Sequence, residues 1–200
     1  MITRPAEQEG VPLVMEVDTL STALVWISGD LGLARRMTPR PAVVLDIDGT
    51  VLHVRGDRTV DCVEGFVELV KRCKENGIAV FCVTAREDSG HNRGPTYNQI
   101  AECGIAPVQK LYMRPQGGEY ADYKRRARDA IRTDGYEILV TVGDQFADIT
   151  HLPLESLRDD RFYIGAFDGR GTFGVKLPSE FRKRRRSQRR SSSPISKAEK

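Results

Sequence analysis

The chain has 200 residues, enough for one domain with appendages, and 40% of them are hydrophobic, enough for a substantial core. No apolar run is long enough to span a bilayer, and the opening MITRPAEQEG lacks the apolar centre of a secretory signal, so an intracellular, cytoplasmic protein is expected. The net charge of +3 hides a split, because residues 180–200 carry +7 and residues 1–179 carry −4.

The chain divides into three zones. Residues 1–40 form a leader in which Leu20, Leu24, Ile27 and Leu31 recur at near-helical spacing around Trp26, with Gly29 weakening the pattern. Such a segment is expected to pack on the main domain or at a dimer contact. Residues 41–178 alternate between strand-like and helix-like stretches. Residues 179–200, with RKRRRSQRRSSSP, are too charged and too poor in apolar groups to fold alone.

Within the middle zone the first strand is Ala42–Asp46. A helix is expected over DCVEGFVELVKRCKENG, capped by Asp61 with Glu64 three residues on, its apolar face Val63, Phe66, Val67 and Val70, and its end at Gly77. IAVFCV, residues 78–83, is the second strand. The Gly-rich stretch 88–95 reads as a loop leading to a short helix near 96–103. KLYM, residues 110–113, is the third strand, a helix spans roughly 119–133, and EILVTV, residues 137–142, is the fourth strand. A further strand lies near 162–167. Continuous apolar strands separated by helices predict an α/β fold: a Rossmann-like α/β/α sandwich with a mainly parallel sheet. The segments between strands leave room for a hairpin but not for a large lid, so a minimal cap or none is expected. Cys62, Cys73, Cys82 and Cys103 form no CxxC pair and are expected to be reduced, mostly core residues.

Ligands of such sheets bind at the carboxyl ends of the strands. The residues just past each strand are therefore informative. The first strand ends in Asp46 and Asp48, then Gly49-Thr50; the second in Thr84-Ala85-Arg86; the fourth in GDQFAD, with Asp144 and Asp148; Lys124 lies on the helix between the third and fourth. Four carboxylates converging on one edge need a counter-charge. All-oxygen donors favour a hard divalent cation, and an open site with retained waters favours Mg²⁺. A cation, a lysine and a backbone turn suit a phosphate group, which one aspartate can attack while the second manages protons.

LDIDGT, VTAR, YKRRAR and VGDQFADI resemble the four motifs of the haloacid-dehalogenase-like (HAD) phosphatases, in that family's order, over about residues 42–178. GYEILVTVGDQFADI, with YK upstream and GVKLPS downstream, is most similar to the acid-phosphatase branch, subfamily IIIB. The resemblance implies a Mg²⁺-dependent phosphomonoester hydrolase working through an aspartyl-phosphate. It implies Asp46 as nucleophile and Asp48 as general acid/base. It implies Thr84, Ala85, Arg86 and Lys124 around the phosphoryl group, and Asp46, Asp48 (through its carbonyl), Asp144 and Asp148 around the metal.

Plainer readings stand beside these. Asp144 and Asp148, taken alone, also suit the plain role of capping a helix after the fourth strand. Lys124 sits among Arg125, Arg126 and Arg128, as on a solvated face, with Lys110 and Arg114 as alternative cations. Arg86 either binds substrate or pairs with Glu87 or Asp88. His53, His91 and His151 are too scattered to form a ligand set. The substrate is a phosphorylated small molecule or macromolecule, and no membrane partner is expected. The basic stretch 182–190 is a solubilising tail, a localisation signal or a nucleic-acid clamp. A nucleic-acid-end phosphatase and a non-catalytic binding protein on the same fold are the rival functions. A monomer or small homo-oligomer is expected.

Overall fold

The computed structural model describes residues 14–17, 19, 21, 38–54, 60–63, 65–118, 120–150, 157–167 and 172–179. The Trp26 segment, Glu64, His151 and the Arg/Ser tail, with the roles expected of them, lie outside the described residues. In chain order the elements are β1 (Val14–Val17), β2 (Pro41–Leu45), β3 (Leu52–Val54), β4 (Val60–Cys62), α1 (Phe66–Glu75), β5 (Ala79–Glu87), α2 (Gly90–Glu102), β6 (Lys110–Arg114), α3 (Tyr120–Thr133), β7 (Glu137–Gly143), α4 (Phe146–Ile149), β8 (Phe162–Ala166) and β9 (Phe173–Lys176).

A seven-stranded sheet takes the order β1-β8-β9-β7-β2-β5-β6. The five strands from β9 to β6 run parallel, while β8 is antiparallel to both β9 and β1. Every residue of β2 is buried, as expected of a central strand covered on both faces. Its side chains alternate between two cores. Ala42 and Val44 meet Phe81, Val83, Tyr123, Ala127, Ile131 and Ile138, so α3 covers that face. Val43 and Leu45 belong to the other cluster, with Phe66, Leu69, Val70 and Cys73 of α1 and Ile100 of α2. The result is the expected three-layer α/β/α arrangement. No helix among the described residues is long and apolar enough to cross a membrane.

Three expectations change. Asp61 does not cap a helix. It lies in β4, opposite His53 of β3 in a small antiparallel hairpin, and α1 begins only at Phe66. The buried face of α1 is then Phe66, Leu69, Val70 and Cys73, an i, i+3, i+4, i+7 set, and Val67 points outward. Phe66, Leu69 and Val70 each contribute about 1.5–3 kcal/mol through burial. The Gly-rich stretch is not a loop: α2 starts at Gly90, after Ser89, and carries Pro95 inside it. Finally, Cys62 and Cys103 are not free but form a disulfide, their Cα atoms 5.4 Å apart, while Cys73 and Cys82 are buried thiols. Strands β1 and β9 are additions to the elements expected from sequence.

Candidate active site

β2 lies between β5, reached first, and β7, reached after the chain has passed on to β6 and crossed back. The crossovers diverge there, which is where sheets of this kind take ligands, beyond the carboxyl ends of the strands. Asp46 follows β2 directly and its N–H donates to the Val142 carbonyl (2.9 Å), which locks it against β7. A tight turn comes next, in which Leu52 N–H donates to Ile47 O (2.9 Å) and Gly49 N–H to Leu52 O (2.8 Å). Gly49 has φ +81°, and a Cβ there would lie 2.9 Å from Asp144 Cγ, so both the turn and the neighbour require glycine.

The Asp46 carboxylate is buried. It accepts a hydrogen bond from Thr50 Oγ1 (3.1 Å) on one oxygen and a short contact from Lys124 Nζ on the other. Lys124 also donates to the Val83 carbonyl (2.8 Å) and pairs with Asp148 Oδ1 (2.8 Å). It is 1% exposed, so it is a site lysine and not part of a solvated face. The helical period explains how. Tyr123, Lys124, Ala127, Arg128 and Ile131 of α3 face inward, while Arg125 and Arg126 face solvent and pair with Asp122. Lys110 instead sits over the Tyr112 ring (4.5 Å), and Arg114 holds Ala85 O (3.0 Å), Gly118 O (2.7 Å) and Glu87 (3.0 Å).

Asp144 and Asp148 flank the start of α4. Asp148 does cap that helix, accepting Gln145 N–H on Oδ2 (2.9 Å), yet its other oxygen faces Lys124. Gln145 Nε2 donates to Asp144 Oδ2 (2.8 Å) and to Ser179 Oγ (2.8 Å). Gly143 is forced by close approach, since a Cβ there would lie 2.2 Å from Asp148 Cβ. Arg128 fastens the far side of α4 through the carbonyls of Ala147 (2.8 Å) and Asp148 (2.6 Å).

One oxygen each from Asp46, Asp144 and Asp148 lies within 4.8 Å of the others. Burial and the charge of Asp148 push Asp46 up to about 8, against the opposing pull of Lys124. Burial and Asp148 likewise push Asp144 up to about 6, against Gln145, Lys176 and Lys124. Ionising both acids therefore costs more than the nearby lysines return. A hard divalent cation fits this donor set: three carboxylate oxygens, close enough to share an ion and short of positive charge.

The Asp48 side chain does not join that cluster. Arg86, which the sequence pairs with Glu87, Asp88 or a substrate, reaches across 38 positions to Asp48. Nε lies 3.2 Å from Oδ1 and 2.9 Å from Oδ2, and Nη2 lies 2.7 Å from Oδ1. Thr84 Oγ1 donates to Asp48 Oδ2 (3.3 Å) and accepts the Arg86 N–H (3.2 Å). Arg86 Nη1 in turn reaches Thr96 Oγ1 (3.1 Å) and Gln99 Oε1 (2.5 Å) on α2. Thr50, Thr96, Gln99, Gln145 and Ser179 are additions to the residues read from the sequence. Only Thr50, within DGT, carried a local signal.

The family model for HAD superfamily, subfamily IIIB (acid phosphatase), matches residues 54–166, more than half of the chain. The match takes in Thr84, Arg86, Lys124, Asp144 and Asp148, while Asp46 and Asp48 lie just before it. Among solved structures, a class C acid phosphatase from Bacillus anthracis with tungstate bound aligns with a TM-score of 0.52 at 15% identity, over 64% of this chain and 61% of that one. A chain of a Pnkp1/Rnl/Hen1 complex aligns with a TM-score of 0.49 at 20% identity, over 56% of this chain and 42% of that one. The chain thus spans about three fifths of the first structure's length and about two fifths of the second's. No curated protein matches the sequence.

Proposed function

The chain belongs to subfamily IIIB, the acid phosphatases, of the HAD superfamily, and from that membership we propose that it hydrolyses phosphomonoesters with Asp46 as nucleophile. The observation that carries the reading is the meeting of Asp46, Lys124, Asp144 and Asp148, all buried, at the ends of β2 and β7. The B. anthracis structure, solved with tungstate, supports it at the level of fold.

In this reading an Asp46 oxygen attacks phosphorus, the bond to the leaving oxygen breaks, and that oxygen takes a proton through Asp48. Water then attacks the phosphoryl group, Asp48 takes the water's proton, and the bond to Asp46 breaks to restore the carboxylate. Thr84 Oγ1, turning from Asp48 to which it donates here (3.3 Å), and the Ala85 N–H would donate to the phosphoryl oxygens. Arg114 holds the next peptide, Ala85–Arg86, through the Ala85 carbonyl. Lys124 offsets the charge that develops beside Asp46. Arg86 is not assigned to phosphate, because its guanidinium is committed to Asp48 and α2. Asp46, Asp144, Asp148 and the Asp48 carbonyl would hold Mg²⁺, whose chemistry is charge neutralisation and polarisation of a phosphoryl oxygen.

Turnover of an aryl phosphate tests this. Asp46→Asn is expected to lower kcat by at least about a thousandfold and to give no phosphorylated protein by intact mass after acid quench. Chelation of divalent ions is expected to abolish turnover in the unaltered protein. An Asp46→Asn protein that retained full activity would falsify the mechanism.

A further inference from the structure

Asp48 is held by a chain of contacts that ends outside the site. Three contacts from Arg86 and one from Thr84 fix its carboxylate, and both oxygens are engaged. The pair is not buried: the side chains of Arg86 and Asp48 are 21% and 28% exposed. The two-pronged pair fixes the plane that the two groups share, but open to solvent as it is, it does not by itself anchor that plane to the fold. What fixes it is the third nitrogen. Nη1 points away from Asp48 and is gripped by Thr96, buried, and Gln99, half-buried, one turn apart on the inner face of α2. The helix is itself anchored: Ile100 lies in the core, and Cys103, just past its end, is bonded to Cys62 of the hairpin that comes after Asp48. A guanidinium held at one end by a fixed helix presents its other edge to a carboxylate in one plane.

We propose that Gln99 and Thr96 are positioning residues that act on Asp48 through Arg86. The inference rests on the phosphatase reading. Its consequence falls on one half-reaction. Asp48, paired with a cation, is aimed as the base that takes a proton from water as water attacks the phosphoryl group on Asp46. Releasing Nη1 lets the guanidinium turn and spoils that aim. The first half-reaction, with a leaving group that needs no proton, is spared.

The experiment uses the full chain with Mg²⁺ and 2,4-dinitrophenyl phosphate, whose phenolate leaves unprotonated. Gln99→Leu and, separately, the near-isosteric Thr96→Val are expected to lower kcat on the order of tenfold and KM with it, leaving kcat/KM nearly unchanged, because only the breakdown step slows. The fraction of chains carrying a phosphoryl group, read by intact mass after acid quench, should rise, because formation continues while breakdown slows. Gln99→Glu, which keeps an oxygen facing Nη1, should restore most of the rate. A fall in kcat with a smaller phosphorylated fraction points to general damage and overturns the proposal. A raised KM with unchanged kcat assigns Arg86 to the substrate and also overturns it. So does unchanged kinetics in both variants. An unaltered protein that turns over no phosphate ester overturns the phosphatase reading itself, and this inference with it.

Discussion

Lys124 is nearly inaccessible, and its ammonium answers two carboxylates and a main-chain carbonyl at once. Burying an ammonium is costly unless its protons are satisfied, so this position is built around the charge. Lys124→Met keeps the stem and removes the charge, which leaves Asp46 and Asp148 to repel in a dry site. The metal-free protein is expected to lose roughly 3 kcal/mol of stability, the usual cost of breaking a buried pair, read as a lower urea midpoint. Added Mg²⁺ should recover part of it. The neighbouring sequence YKRRAR gives four basic residues, of which two are buried. Which two is legible from the 3.6-residue period of Tyr123, Ala127 and Ile131. The Arg86–Asp48 pair was not legible in that way. Its partners are distant in sequence, and a local reading offers Glu87 and Asp88 first.

Among the elements, α2 and the β3–β4 hairpin carry features that composition conceals. Gly90 and Gly94 suggest a loop, and only Thr96 and Ile100 of α2 are buried within it, so its apolar pattern is too sparse to announce a helix. The hairpin is short, and its β4 strand holds Asp61, the residue that the sequence offers as a helix cap. Strand β9 is four residues and β1 pairs only at the sheet's edge, so neither shows the long apolar run that marks β2, β5 and β7. The disulfide joins the hairpin to the end of α2, two poorly marked elements, across 41 positions. Closing a loop of that length stabilises by about 4 kcal/mol if the unfolded chain is otherwise unstructured. Replacing Cys62 and Cys103 together by serine is thus expected to lower the urea midpoint and to steepen the transition, because the unfolded chain without the cross-link exposes more surface. A dithiol reductant should lower the midpoint of the unaltered protein equally and leave the double variant unmoved. A midpoint indifferent to both changes would show that the hairpin and α2 are held by packing alone.

For the molecule as a whole, the parallel strands and their helices were legible because buried apolar runs and polar strand ends recur at regular intervals, and the same regularity brought Asp46, Thr84 and Asp144 to one edge. The energetic consequence of that convergence belongs to the entire fold. Folding moves three carboxylates out of water, and for Asp46 and Asp144 the cost of burial exceeds what nearby positive charge returns. A carboxyl group whose folded value lies above its unfolded one binds more protons in the native state over the interval between them. Stability is then present at the acidic end of the interval and is lost as pH rises through it. For Asp144 the interval runs from 3.8 to about 6, and for Asp46 from 3.8 to about 8. In a chelator, the midpoint of thermal unfolding should therefore fall between pH 5 and pH 8. Saturating Mg²⁺ should flatten or reverse that slope, because the ionised carboxylates then become ligands and binding to the native state adds stability by mass action. The gain from Mg²⁺ at pH 8 should exceed the gain at pH 5. A thermal midpoint that rises with pH in chelator would mean that Asp46 and Asp144 ionise without cost, and the case for a cation beside them would fail.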